Sequence, residues 1–208
     1  HVTLKGVITS PLPPVTAKAV FLILQGSGNV GANGDVRSPF TGQGYLNQDA
    51  PLSEQLAETL QAAGAVTFRF NKRGVDDPAQ LKNQIYSIIK KDALNAARAI
   101  KSLYPNLPFY MIGISEGSLI ALQSAEELQA KGIFLLSTPA GTADDWFDHM
   151  FYRWPVNLIE SKVDLDHDGI LVEKELNAFT SHLRLPIFNQ DWESIDSAHQ
   201  HQLSVESQ

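Results

Sequence analysis

The chain contains no cysteine, which excludes a disulfide framework and a thiolate-bound zinc site. Positive charge is scarce as well. Sixteen Lys and Arg stand against 23 Asp and Glu, a net charge of −7, and the basic residues form no patch. Binding to nucleic acid through its backbone needs concentrated positive charge, so that class drops out, as does an anionic membrane surface. Long apolar runs are missing too: the longest, Ala19–Leu24, is strand-length, against about 18 residues for a membrane span. The 14 glycines follow no period, so the chain is not collagen-like. A cysteine-free chain suits either redox compartment. It begins at His1 rather than Met, which raises the expectation of a preceding segment such as a signal peptide and favours a periplasmic or secreted location over a cytoplasmic one.

What is present is ordinary globular composition: 208 residues, 43% hydrophobic, enough for one cored domain and a small second unit. Val2–Ile8 alternates apolar and polar positions before a proline-rich break at Ser10–Pro14, which predicts an edge strand. Ala19–Leu24 is apolar throughout, as a strand covered on both faces should be. Leu52, Leu56, Leu60 and Ala63 recur at helical spacing up to Gly64, and Ala65–Phe70 reads as the next strand. A helix is predicted from about Gln84 to Leu103, then a strand at Phe109–Ile114, a helix at Gly117–Lys131 and a strand at Gly132–Ser137. Strands separated by helices predict an α/β fold, a mostly parallel sheet with helices on both faces. No clear strand follows Ser137. Residues 1–143 are taken as this core and 144–208 as a separate helical lid or subdomain.

Gly113-Ile114-Ser115-Glu116-Gly117 has the form G-x-S-x-G, and it lies where an apolar strand passes directly into a helix. That is the setting of a nucleophile elbow, in which a sharp turn lifts the serine hydroxyl above the sheet edge. Its flanking positions must be glycine because neighbouring backbones approach too closely for side chains. Ser115 is therefore the candidate nucleophile. The oxyanion hole of such a site takes one N–H from the residue after the nucleophile, here Glu116, and one from the loop after an earlier strand. Gln25-Gly26-Ser27-Gly28 follows the right strand, and Ser27 is assigned the second donor, with Gly28 as the alternative.

Over residues 1–145 the chain resembles bacterial α/β-hydrolases of the serine esterase and serine-aminopeptidase-like group. The resemblance runs through Leu24–Gly28, Phe68–Gly74, Ile112–Ala121 and Leu135–Gly141. Gln25, Asn71 and Ile114 stand where those proteins usually carry His, Asp and His; none of the three removes the nucleophile or a backbone donor. The resemblance implies hydrolysis of a small-molecule carboxylic ester, ahead of an amide. It also implies a triad in the order Ser, acid, His, with the last two after strands beyond the lid; the chain shows no such strands, so the core is expected to be incomplete at its C-terminal side or to draw its acid and base from unusual places. Asp144 and Asp145 are candidates for the acid; His149, His182, His199 and His201 are candidates for the base, and none is singled out.

Asp164–Glu175 fits the EF-hand calcium loop. Asp164, Asp166 and Asp168 occupy positions 1, 3 and 5, and Gly169 at position 6 permits the sharp turn. Ile170 at position 7 offers its carbonyl, and Glu175 at position 12 supplies two oxygens. Four carboxylates facing one doubly charged ion favour Ca2+ over the tighter octahedron of Mg2+. Leu158, Ile159 and Val163 before the loop, with Leu176 and Phe179 after it, predict two packed helices. Residues 196–207 suggest a degenerate second loop without the needed carboxylates.

Gly26-Ser27-Gly28-Asn29-Val30-Gly31 also matches a dinucleotide-binding glycine pattern, but Ala32–Asp35 continues as loop rather than helix, so that reading fails. Arg73 is expected to tie neighbouring loops together. Two readings remain: a serine hydrolase with structural calcium in its lid, or a catalytically silent hydrolase scaffold acting as a calcium-binding interaction module. A histidine within reach of Ser115 separates them.

Overall fold

The computed structural model describes residues 2–37, 44–46 and 51–175. The chain forms two compact units, His1–Pro139 and Ala140–Gln208. The first is built on a five-stranded sheet in the order β1-β5-β2-β6-β7, from β1 (Gly6–Thr9), β2 (Ala19–Leu24), β5 (Ala65–Phe70), β6 (Phe109–Ile114) and β7 (Gly132–Leu136). The four strands β5, β2, β6 and β7 run parallel, and β1 pairs antiparallel with β5 at the edge. The fold is thus α/β with a mostly parallel sheet. A small antiparallel pair, β3 (Val36–Arg37) and β4 (Gly44–Leu46), lies in the connection after β2.

Alternation along the strands sorts their side chains onto two helical layers. Val20, Leu22 and Leu24 of β2, Val66 of β5 and Phe109 and Met111 of β6 face the main core. They meet Ile89, Ala93, Ala97 and Ile100 of α2 (Tyr86–Leu103) and Ile120 and Ala121 of α3 (Glu116–Ser124). Ile23 and Ile112 point the other way, onto Ala57, Leu56 and Leu60 of α1 (Leu52–Ala62). This arrangement follows from chain order. From β2 the chain moves one way to β5, then back across to β6 and onward to β7, and right-handed crossovers in opposite directions put their helices on opposite faces. The reversal leaves a crevice at the carboxyl ends of β2 and β6, the place where open parallel sheets take ligands.

Several bounds differ from the sequence reading. The edge strand starts at Gly6 rather than Val2, and α2 begins at Tyr86 after a short 3-10 turn, Pro78–Asn83. The third helix stops at Ser124, not Lys131. Residues 125–129 form turns that end in Gln129 at φ 52°, and the Lys131 N–H then pairs with the Phe109 carbonyl to enter β7. The chain from Gln25 to Asp35 forms no helix, and none opens on Gly31, as expected against the dinucleotide reading.

In the second unit the described residues are helical from Ala143 to Val163. Two α-helical stretches, α4 (Ala143–Asp148) and α5 (Trp154–Leu158), alternate with π-helical turns at His149–Arg153 and Ile159–Val163. Thr142 caps α4 in a reciprocal capping box with Asp145. The predicted helix after the acidic loop begins at Glu173, and its continuation through Leu176 and Phe179 lies outside the described residues, as does residues 196–207. Among the described residues no helix is long and apolar enough to cross a membrane.

Candidate active site

Ser115 sits between β6 and α3 at φ 51°, ψ −116°, a left-handed conformation that side-chain-bearing residues rarely adopt. The turn is enforced from both sides by contacts that leave no room for a Cβ. One on Gly113 would stand 2.4 Å from the Ser118 Cα, and one on Gly117 would stand 2.4 Å from the Leu24 carbonyl oxygen and 2.7 Å from that of Gln25. The Ser115 N–H is tied to the Leu136 carbonyl of β7 at 2.8 Å. The residue is therefore strained, and the surrounding backbone over-determines the strain, which is the usual mark of a functional turn.

The loop after β2 lies directly against this serine. A Cβ on Gly26 would be 3.3 Å from the Ser115 Cβ and 4.0 Å from its Oγ. The structure thus brings the Gly26–Ser27 segment and Ser115 together at the crevice. Glu116 is the first residue of α3, so its N–H has no partner within the helix. The carbonyl of the same peptide, that of Ser115, accepts from the Ser118 N–H at 2.9 Å and from the Ser118 hydroxyl.

The loop itself is pinned by residues far away in sequence. Gln25 is buried; its amide donates to the Ala32 carbonyl at 3.0 Å and its oxygen accepts from the buried Ser53 hydroxyl at 2.8 Å. The Ala32 N–H donates to Asn71 Oδ1 at 2.8 Å, and Arg69 Nε donates to Asn33 Oδ1 at 3.1 Å. Lys72 is 5% exposed, and its ammonium donates to the Gly26 carbonyl at 2.8 Å and to Glu116 Oε2 at 2.7 Å. Burial lowers the pKa of this lysine, and the charge of Glu116 acts in the opposite sense. Arg73 forms a two-pronged pair with Asp92 of α2 at 2.5 and 2.7 Å, so it ties its turn to a helix rather than to a neighbouring loop. Two buried donors nearby, Asn29 Nδ2 and Tyr86 Oη, have no hydrogen-bond partner among the described residues. Burial, and then the charge of Glu116, raise the Tyr86 phenol above its ordinary value.

Of the residues that sequence reasoning weighed for the acid and base, Asp145 is engaged with Thr142, whose hydroxyl and backbone hold its carboxyl below the usual range. Asp144 and His149 are exposed, and His182, His199 and His201 lie outside the described residues. Lys72 was missed as a site residue. No local signal marked it, since its contacts with Gly26 and Glu116 join residues 46 and 44 apart in the chain.

The acidic loop belongs to the second unit. Ligand oxygens of Asp164, Asp166 and Asp168 lie within 4.8 Å of one another. That is the span that an ion held at about 2.4 Å from each oxygen bridges. Asp164 and Glu175 are buried, each about 6% exposed. Asp164 accepts from the Gly169 and Asp168 N–H groups, and Asp168 from that of Ile170 at 2.7 Å. Glu175 folds back to accept from Leu165 at 2.8 Å and Val172 at 3.2 Å, closing the loop. His167 and Gly169 take positive φ at 59° and 79°. The charge and spacing fit a divalent, oxygen-loving cation.

No protein-family model and no curated protein matches the chain. Solved structures do. A thermostable carboxyl esterase from Bacillus coagulans is 18% identical at TM-score 0.50, covering 96% of this chain and 60% of its own. An α/β serine hydrolase without lid from Xanthomonas campestris is 21% identical at TM-score 0.49, covering 66% and 57%. A dienelactone hydrolase from Anabaena variabilis is 18% identical at TM-score 0.49, covering 72% and 64%. The chain therefore spans less than two thirds of the length of these structures. At this level of identity the likeness concerns the fold alone, an α/β arrangement with a mostly parallel sheet consistent with that of the carboxyl esterase.

Proposed function

We propose that the protein is a serine hydrolase that transfers an acyl group from a small carboxylic ester to water. The observation that carries this reading is the conformation of Ser115, held at φ 51° by glycines that only close backbone approach requires. Nothing in the packing of a parallel sheet calls for a strained serine at the switch-point crevice; a nucleophile elbow does. The esterase and hydrolase neighbours share the fold and make ester cleavage the first activity to try.

In this mechanism Ser115 Oγ attacks the ester carbonyl and forms a tetrahedral intermediate. Its oxyanion is held by the N–H groups of Glu116, at the positive end of α3, and of Ser27. A general base takes the serine proton and returns it to the leaving alkoxide; water then repeats the attack on the acyl-enzyme. The base and its orienting acid are left unassigned. Hydrolysis of p-nitrophenyl acetate and butyrate by the protein and by Ser115→Ala tests the reading. Turnover that vanishes in the variant supports it, and equal rates reject it.

The acidic loop is proposed to bind Ca2+ through Asp164, Asp166, Asp168, the Ile170 carbonyl and Glu175. The ion would neutralise carboxylates that otherwise repel one another and so stabilise the second unit, the EF-hand-bearing lid of the sequence reading. It takes no part in the acyl-transfer steps.

A second reading keeps the calcium and drops the catalysis: a silent scaffold acting as an interaction module. It is favoured by one observation, the lack of any histidine among the described residues of the sheet unit. An unreactive Ser115 alongside normal calcium binding would favour it over the first.

A further inference from the structure

We infer that Lys72 is a positioning residue of the oxyanion hole, fixing the Ser27 N–H by gripping the carbonyl of the same peptide. This rests on the serine-hydrolase reading above. A trans peptide is planar, and its C=O and N–H point in opposite directions. The Gly26 carbonyl and the Ser27 N–H belong to one such unit. Whatever holds the Gly26 oxygen therefore sets the direction of the Ser27 hydrogen. Lys72 Nζ holds that oxygen at 2.8 Å, and the Lys72 N–H also donates to the Val30 carbonyl at 3.1 Å. One residue thus clamps both ends of the Gly26–Val30 loop. This matters because Gly28 within it sits at φ 91° with open space around its α-carbon, so local sterics do not restrain it.

The second contact of the same ammonium ties the two halves of the hole together. Lys72 Nζ reaches Glu116 Oε2 at 2.7 Å, and Glu116 supplies the other N–H. The Glu116 peptide is itself gripped at its carbonyl by Ser118, through backbone and hydroxyl. Both proposed donors are thus aimed from behind, one by Ser118 and one by Lys72. Both partners of Lys72 are acceptors, and the charge of Glu116 favours its protonated form.

The experiment compares the protein with Lys72→Met/Glu116→Gln, which removes the ammonium without stranding a carboxylate, and with Glu116→Gln alone, which keeps Lys72 on Gly26. Steady-state ester hydrolysis is normalised to folded sites by active-site titration, and crystal structures of the variants read the orientation of the Gly26–Ser27 peptide. An oxyanion donor acts in the transition state, so the double variant should lose kcat by about 10- to 100-fold with KM within about threefold. Its inhibition constant for a trifluoromethyl ketone, whose adduct carries the oxyanion, should rise by the same factor. Glu116→Gln should lose less than about tenfold, and the peptide should turn only in the double variant. A double variant that retains kcat per titrated site, or whose Gly26–Ser27 peptide keeps its orientation, overturns the inference. If the wild-type protein hydrolyses no ester, the catalytic reading falls, and the peptide orientation alone decides whether Lys72 sets the Ser27 N–H. Should the double variant fail to fold, Lys72→Gln takes its place with the same readouts.

Discussion

The two units carry their candidate chemistry in opposite ways. In the sheet unit the reactive geometry is built from backbone: Ser115 is wedged by Gly113 and Gly117 against atoms 2.4 Å from where their side chains would begin. In the second unit it is built from side-chain charge. Asp164, Asp166 and Asp168 converge while a side chain at Gly169 would meet no neighbour, and among the described residues hydrogen bonds from loop amides offset their repulsion. Geometry of the first kind is in place once the chain has folded. A site of the second kind is a template whose stability depends on the ion it gathers. The difference follows from what each must do, since an oxyanion hole has to be in place before charge develops, whereas a cation brings its own field.

Substitutions can break this comparison at its strong end first. Ser115→Ala should reduce ester turnover on the order of 10⁴-fold or more while leaving the calcium response of the protein intact. Next in size, Gly117→Val should cost about 3 kcal/mol in urea unfolding, because carbonyls of Leu24 and Gln25 would have to move. A side chain placed at Gly169, as in Gly169→Ala, meets no neighbour and pays only for its positive φ, about 1–2 kcal/mol. If the two substitutions cost the same, the contrast between a packed and an open site is wrong.

The ion dependence of the second unit gives a middle-sized effect. Calcium at a hundredfold its dissociation constant should stabilise the protein by about 2.7 kcal/mol, read as a rise in melting temperature. Chelation or Glu175→Gln should abolish the rise, and Mg2+ should reproduce little of it. A melting temperature indifferent to calcium would leave the acidic loop as a solvated turn. The smallest effect probes the strain at the elbow. Ser115→Gly should be more stable than Ser115→Ala by about 1 kcal/mol, since glycine relieves the left-handed conformation that alanine keeps. Equal stabilities would mean that the turn is not strained.

The sheet was legible because β2 and β6 are short apolar runs and β5 opens directly after Gly64, and the elbow was legible because its glycines are a steric necessity visible in one dimension. The end of α3 was not. Ala125–Ala130 contains only good helix formers, and the chain leaves the helix there because Lys131 must reach the Phe109 carbonyl in the sheet. The grip of Lys72 on Gly26 was hidden for a related reason: it joins residues 46 apart, and only folding brings the turn after β5 beside the loop after β2. Propensity and spacing report local demands, and both of these features are tertiary.

The most direct test of the account is intact-mass spectrometry of the protein after exposure to a fluorophosphonate, with Ser115→Ala as control and with calcium present and absent. A single adduct is expected on the wild-type chain and none on the variant. A wild-type chain that stays unlabelled in both conditions, while still binding calcium, would contradict the claim that Ser115 is an activated nucleophile.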